Sequence, residues 1–278
     1  MEHTHVSTIP DLDRGILIAA LGGWNDAASA STWAVKFLIK EWDAQEFADI
    51  DGDAFYDFTE SRPQVRIVHG VIRQLTWPGN RFYLSPPTTE SASQRPRNVA
   101  LFLGEEPQLH WRTYAQEILD LCRECHIEEV VLLGSLVAEV PHTVPVQISG
   151  TSSRSTMLRR MSANGIELSN YSGMSGMLTV MHDAARKAGL NASSLWGVAP
   201  HYVSATPNLA VSEALLRRLD AIYGFDLQLK DLARAAQRFT ARVSSLVAED
   251  PDVSAYVREL EQRSDGATRT LTPAVEGD

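Results

Sequence analysis

Two hydrophobic patterns alternate along the chain. Short continuous apolar runs are typical of strands buried in a parallel sheet, whereas apolar residues three or four positions apart indicate amphipathic helices. Their alternation predicts an α/β fold with a mostly parallel sheet. The predicted strands cover 15–21, 98–104, 128–136, 144–153 and 193–203, and the predicted helices cover 110–125, 157–163 and 173–190, with further helices beginning after Asp26 and at Pro207–Asn208.

The pattern changes in two regions of the chain. Between Phe47 and Ser85, short strand-like pieces separated by Pro and Gly predict a hairpin-rich insertion, followed by an exposed polar loop at 86–97. After residue 225, strands give way to two amphipathic helices whose apolar stripes need a partner, either the main domain or another subunit. The strand-like pieces are 54–58, 64–70, 71–78 and 81–85, and the expected domains are an α/β domain at 1–225, a helical extension at 226–263 and a disordered tail at 264–278.

The composition is that of a globular protein, with 44% hydrophobic and 22% charged residues. A formal net charge of -10 argues against a nucleic-acid-binding surface, which needs clustered Lys and Arg. Every apolar run is far shorter than the about 20 residues that a helix needs to cross a bilayer. The first residues, MEHTHVSTIPDLDRG, lack the basic and then apolar pattern of a signal peptide. We therefore expect a cytoplasmic protein that binds other proteins or small molecules, and neither nucleic acid nor membrane.

The chain has two cysteines, and they lie in the sequence CRECH at 122–126. This spacing matches the C-x-x-C-H pattern of covalent haem attachment, but it falls at the end of an amphipathic helix without further metal ligands at suitable spacing. We interpret both as packing cysteines. The sequence also contains no Walker A loop, no dinucleotide-binding G-x-G-x-x-G, no zincin motif and no identifiable serine triad. No cofactor and no metal are therefore predicted.

Polar side chains follow several of the predicted strands at their carboxyl ends, where α/β proteins place their ligands. We expect a shared crevice that could support acid–base chemistry or bind a polar ligand. The alternative is that these groups only cap helices or satisfy backbone carbonyls; Asp26, for example, precedes a helix that it could cap. The candidate residues are Trp24, Asn25, Asp26, Glu105, Ser135, His142, Ser175 and His201.

Ser175 lies in GMSGM at 173–177, which is similar to a nucleophile elbow but lacks the G-x-S-x-G order. A glycine-rich helix start is the competing interpretation, with free N–H groups and the hydroxyl holding an anion or capping the helix. The cap is favoured. No catalytic residue is assigned, and the absence of a complete motif favours a protein without enzymatic activity.

Six motifs in order resemble the PAC2 family, the proteasome assembly chaperone 2-like proteins, in their actinobacterial form. The resemblance runs from about Gly15 to Leu260. It implies a three-layer α/β/α sandwich of the phosphorylase/hydrolase-like type and a homo-oligomer, with a homotrimer expected. The motifs are GWNDA (23–27), YDFTESRP (56–63), LGEEPQLHWR (103–112), VVLLGSLVAEVPHTVPV (130–146), SLWGVAPHYVSATPN (194–208) and LLRRL (215–219).

The resemblance leads to two functional hypotheses. The favoured one is a non-enzymatic binding or assembly-chaperone-like protein, because eukaryotic members of the family assist assembly of proteasome rings. Its partners would be further copies of itself, held partly through the C-terminal helices, and proteasome or other ring subunits. The alternative is a small-molecule enzyme or ligand-binding protein of the hydrolase, phosphorylase or ATP-dependent ligase type. That protein would use Glu105, His142 or His201 for acid–base chemistry, with Ser175 near an anion.

Overall fold

The computed structural model describes residues 1–84, 99–203 and 206–266. The polar loop predicted at 86–97 lies outside these residues, as does most of the tail predicted at 264–278. Residues 264–266, predicted as part of that disordered tail, are instead helical. The strands are β1 (Thr4–Val6), β2 (Gly15–Gly22), β3 (Gln45–Ile50), β4 (Gln64–Val68), β5 (Val71–Thr76), β6 (Asn80–Leu84), β7 (Val99–Glu105), β8 (Ile127–Ala138), β9 (Ile148–Ser152), β10 (Glu167–Leu168) and β11 (Asn191–Pro200). The α-helices are α1 (Ala30–Glu41), α2 (Trp111–Glu124), α3 (Ser155–Ala163), α4 (Met177–Lys187), α5 (Leu209–Tyr223), α6 (Lys230–Glu249) and α7 (Pro251–Gly266).

The chain forms two compact units, and the first comprises residues 1–23, 35–132 and 175–192. Its sheet has the strand order β1-β3-β6-β7-β2-β8. Strand β2 pairs in parallel with both β7 and β8, and every one of its residues is buried. A strand covered on both faces has no reason to alternate apolar with polar residues, so the continuous run at 15–21 predicted this central strand correctly.

The outer strands of the first unit pair antiparallel, from β1 through β3 and β6 to β7. Phe82 on β6 packs against Phe102 on β7 with ring centroids 4.4 Å apart. The region predicted as a hairpin-rich insertion therefore contributes β3 and β6 to the main sheet. Strands β4 and β5 alone form a separate two-stranded sheet.

The strand predicted at 54–58 is wrong, because this stretch is a turn. The carbonyl of Gly52 accepts the N–H groups of both Phe55 and Tyr56, each at 2.9 Å. Both aromatic side chains are buried, and the Tyr56 hydroxyl donates to Asn80 Oδ1 at 2.6 Å. Burial raises the pKa of that hydroxyl well above its usual range. The apolar residues Phe55 and Tyr56, whose pattern indicated a strand, are core residues that belong to a turn.

The second unit comprises residues 24–34, 133–174 and the chain from 193 onwards. Its strand order is β8-β11-β9-β10, starting from the second half of β8; β11 pairs antiparallel with β9, and β9 pairs in parallel with β10. A side chain at Gly197 on β11 would collide with Val211 of α5, so glycine permits the close approach of this helix to the strand. The prediction of an α/β protein with C-terminal helices is confirmed. The sheet, predicted to be mostly parallel, is mixed, because the β1-β3-β6-β7 and β11-β9 pairs are antiparallel, and the three-layer arrangement stays a prediction.

Helices α6 and α7 cover their apolar stripes within the second unit. Helix α6 packs on α5 and buries Leu232, Ala236 and Val243, and α7 packs on α6. Leu246 at the end of α6 remains exposed. Helices of the same chain, and not another subunit, therefore bury most of the apolar stripes of α6 and α7. No helix among the described residues is long and apolar enough to cross a membrane.

Candidate functional site

Asp26 is the centre of a buried hydrogen-bond cluster in the second unit. Its Oδ1 accepts the N–H of Ser31 at 2.8 Å, the Ser31 hydroxyl at 2.6 Å and the N–H of Thr32 at 3.2 Å. Its Oδ2 accepts the Thr32 hydroxyl. Ser31 and Thr32 lie in the first turn of α1, whose N–H groups have no partner inside the helix. The prediction that Asp26 caps the following helix is confirmed.

Ser135 on β8 lies beside Asp26, as the crevice hypothesis expects. Its N–H donates to the carbonyl of Asn25 at 2.8 Å, and its hydroxyl donates to the carbonyl of Ala27 at 3.1 Å and lies 3.4 Å from Asp26 Oδ1. Asn25 is also buried, and its Oδ1 has no hydrogen-bond partner among the described residues. Trp24 differs from its neighbours because 57% of it is exposed. This cluster anchors the segment leading into α1 and presents a single large aromatic residue to solvent.

His142 is held by hydrogen bonds on both ring nitrogens. The Tyr202 hydroxyl accepts the backbone N–H of His142 and lies 2.7 Å from its Nδ1, while Nε2 lies 3.0 Å from the Ser244 hydroxyl on α6. Because the Ser244 hydroxyl donates to the carbonyl of Thr240, it accepts from Nε2, and the inferred tautomer is neutral with its proton on Nε2. Burial lowers the pKa of His142, which favours the same neutral form.

His201 meets the same tyrosine from another side. Its ring lies 5.5 Å from the ring of Tyr202 and 5.5 Å from that of Tyr256 on α7, both edge-to-face. The two predicted histidines are thus brought together around Tyr202, and the contacts reach α6 and α7. Neither Tyr202 nor Tyr256 was among the predicted site residues. The only sequence signal for Tyr256 was that it is an aromatic residue on a predicted amphipathic helix.

Glu105 and Ser175 belong to the first unit. Glu105 is exposed at the end of β7, and its carboxylate lies against Gly22, where any side chain would collide with it. Ser175 is also exposed, and its hydroxyl is 3.4 Å from the carbonyl of Gly176.

The carboxylate of Glu106, not the Ser175 hydroxyl, caps helix α4. Glu106 Oε1 accepts the N–H of Met177 at 2.7 Å, which corrects the interpretation of Ser175 as the cap. The anion at this helix N-terminus is a side chain of the same unit. Glu106 and Met177 are 71 positions apart, and no local pattern in the sequence predicts that they meet.

The eight candidate residues therefore divide between the two units, with six of them in the second. A crevice shared by all eight stays a prediction. Within residues 1–84, 99–203 and 206–266, no group of three or more His, Cys, Asp or Glu is placed to hold a metal ion. Cys122 and Cys125 are buried, and burial raises the pKa of both thiols, that of Cys125 to about 11. Inert, buried thiols fit the packing interpretation.

The described residues thus form a mixed α/β protein in which Asp26, His142 and Glu106 hydrogen-bond to groups of the same chain. Residues 20–247 match the model of the PAC2 family, and the chain belongs to this family. The Mycobacterium tuberculosis proteasome-assembly chaperone homologue Rv2125 is 36% identical, with a TM-score of 0.78 over 87% of this chain and 99% of that chain. A PAC2 family protein from Streptomyces avermitilis is also 36% identical, with a TM-score of 0.77 over 87% and 99% of the two chains.

More distant structures share the fold. PbaB of Pyrococcus furiosus, described as an archaeal proteasome activator, is 18% identical, with a TM-score of 0.66 over 88% of this chain and 99% of that chain. No curated protein sequence matches the chain.

Proposed function

We propose that the protein is a non-enzymatic binding protein of the assembly-chaperone type, that it acts in the cytoplasm as a homo-oligomer, in trimeric form, and that proteasome ring subunits are among its partners. The observation that carries the proposal is membership of the PAC2 family together with 36% identity to a protein described as a proteasome-assembly chaperone homologue. The Pyrococcus furiosus structures with the same fold bear related descriptions, one an activator and another an assembly-chaperone homologue.

The hydrogen bonds of two candidate site residues, Asp26 and His142, support binding over catalysis. The Asp26 carboxylate caps α1, and the His142 ring bridges Tyr202 and Ser244. A general acid or base needs a free site facing its substrate, whereas these groups are used within the chain. The small-molecule alternative loses support at these two residues, whereas Glu105 and His201 are exposed.

Trp24 is the residue that we assign to partner contact in this proposal. Exposed tryptophans are enriched among residues that dominate binding energy at protein interfaces. Trp24 exposes more than half of its surface although the residues directly after it, Asn25 and Asp26, are buried. The polar cluster below it therefore fixes the backbone that carries the aromatic ring.

The test is the assembly of proteasome rings from purified actinobacterial ring subunits, followed by native mass spectrometry with and without this protein. We expect a complex with unassembled subunits and faster ring formation. Trp24→Ala should weaken the complex about 30-fold or more, since truncating an interface anchor typically costs about 2 kcal/mol or more. The matched control is Met174→Ala, which removes another highly exposed apolar side chain.

Two results would contradict the proposal. One is the absence of any complex with ring subunits together with unchanged assembly kinetics. The other is turnover of a defined metabolite that Asp26→Asn or His201→Ala abolishes while the circular dichroism spectrum stays that of the wild type.

A further inference from the structure

The hairpin formed by β4 and β5 exposes an apolar face to solvent. Neither strand pairs with another described strand, and ten of their eleven residues are exposed. A two-stranded hairpin alone in water is marginally stable, and it becomes stable when one face is covered. An uncovered face of branched apolar residues is also a site for association.

The strand register places four apolar side chains on one face. Val65 pairs with Leu75 and Ile67 pairs with Ile72, while a bulge at Arg73 keeps both pairs on the same side. All four are half exposed or more, and Ile72 is 66% exposed. The opposite face carries the polar side chains Gln64, Arg66, Gln74 and Thr76, with Val68 and Val71 at the tip.

Charge distinguishes the hairpin from the rest of the chain. Residues 61–81 contain four arginines and no Asp or Glu, although the whole chain has a formal net charge of -10. Arg66 and Arg73 are exposed, and neither forms an ion pair with a described residue. The hairpin therefore carries positive charge without an ion-pair partner among the described residues, at Arg73 in the bulge beside the apolar face and at Arg66 on the opposite face. Arg81, on β6, pairs with Glu46 at 3.7 Å.

The complementary charge lies in the segment immediately before the hairpin. Residues 41–60 contain eight Asp and Glu and no Lys, Arg or His, and seven of these acidic residues are exposed. Asp51 and Asp57 accept backbone N–H groups in their own turns. Asp53 and Glu60 accept no hydrogen bond from a described residue, and both are exposed, so their carboxylates are available to a partner.

We infer that the β4–β5 hairpin docks on the acidic segment 41–60 of a second copy of this chain. The inference rests on the proposed homo-oligomer and names the surfaces that build it. Two different patches in contact form a head-to-tail interface, which closes into a ring when the rotation between copies permits. Apolar side chains supply the buried area, and the charge complementarity selects the partner surface.

The first experiment compares two neighbouring positions on opposite faces of the hairpin. Ile72→Asp places a carboxylate in the apolar face, whereas Val71→Asp places the same group on the other face of the same strand. Mass by light scattering is measured over a dilution series for the wild type and both variants, with circular dichroism to check the fold. Ile72→Asp should raise the dissociation constant at least about 100-fold, and Val71→Asp should leave it within a few-fold of the wild type.

The second experiment tests the acidic segment as the receptor. Reversing Arg73 to Glu should dissociate the oligomer, and adding Asp53→Lys and Glu60→Lys to the same chain should restore it, whereas Arg66→Glu on the opposite face should have little effect. Loss without restoration would overturn the assignment of segment 41–60. An oligomer unaffected by Ile72→Asp would overturn the hairpin as the interface while leaving the homo-oligomer intact. A wild type that is monomeric at every concentration would overturn both the inference and the proposed self-association, and a hairpin that binds only a different protein would overturn the inference alone.

Discussion

Replacing Asp26 tests whether the polar cluster at the start of α1 is a structural cap. In Asp26→Ala, the N–H groups of Ser31 and Thr32 lose their acceptor while buried. Leaving a buried donor unsatisfied costs about 1–3 kcal/mol, and loss of an N-cap typically costs about 1 kcal/mol. The Thr32 hydroxyl can turn towards the carbonyl of Ser29, 3.4 Å away, which offsets part of the loss. We expect a decrease of about 3 kcal/mol in the free energy of unfolding.

Asp26→Asn separates the cap from the charge. The amide oxygen can keep the acceptor position of Oδ1 towards Ser31 and Thr32, and the amide nitrogen can donate to the Thr32 hydroxyl once that hydroxyl rotates. The expected loss is about 1 kcal/mol, since hydrogen bonds to a charged group are roughly twice as strong as neutral ones.

The assay for both variants is urea unfolding followed by tryptophan fluorescence, with the slope against denaturant checked for constancy. The control is Asp231→Ala, which removes a carboxylate that is 94% exposed on α6. A loss below about 1 kcal/mol for Asp26→Ala, or equal losses for the Ala and Asn variants, would refute the cap as the source of stability.

Three further outcomes follow from buried titratable groups. Burial lowers the pKa of His142 from its ordinary 6.5. The neutral ring therefore stabilises the folded state above pH 6.5, and this contribution is lost as the pH falls through the folded-state pKa. His142→Gln should flatten this part of the profile of stability against pH. Glu117 is buried, which by itself would raise its pKa, but hydrogen bonds from Thr4 and two backbone N–H groups lower it below 4.5. Glu117→Gln should therefore remove stability above pH 4.5 and reduce the loss on acidification. Cys122 and Cys125 should not react with a thiol reagent at neutral pH until urea unfolds the chain.

Each of these outcomes has a matched control. His69→Gln and Glu124→Gln replace exposed residues of the same types and should leave the pH profile of the urea midpoint unchanged. A profile that His142→Gln leaves as steep as the wild type would contradict the role of its neutral ring. Retention of the full acid sensitivity in Glu117→Gln would do the same for that carboxylate, and rapid labelling of native thiols would show that they are accessible.

Features that depend on neighbouring residues could be predicted from the sequence. The continuous run of β2 requires cover on both faces, and Asp26 lies close enough in the chain to reach the first turn of α1. The helix predicted at Pro207–Asn208 likewise begins with its cap, because Asn208 Oδ1 accepts the N–H of Val211 at 3.2 Å. The bounds of α6 and α7 follow in the same way from the break at Asp250–Pro251.

Contacts between distant groups depend on long-range packing and could not be predicted from the sequence. Glu106 reaches the start of α4 across 71 positions, and His142 reaches Ser244 across 102. Similar strand-like apolar patterns have different outcomes: at 54–58 the apolar residues are core residues in a turn, whereas in the β4–β5 hairpin they form an exposed face. A local pattern reports the spacing of side chains along a strand or helix, whereas burial depends on what the rest of the chain places against them. Periodicity therefore specified the elements, and long-range packing specified which of their surfaces remain available for binding.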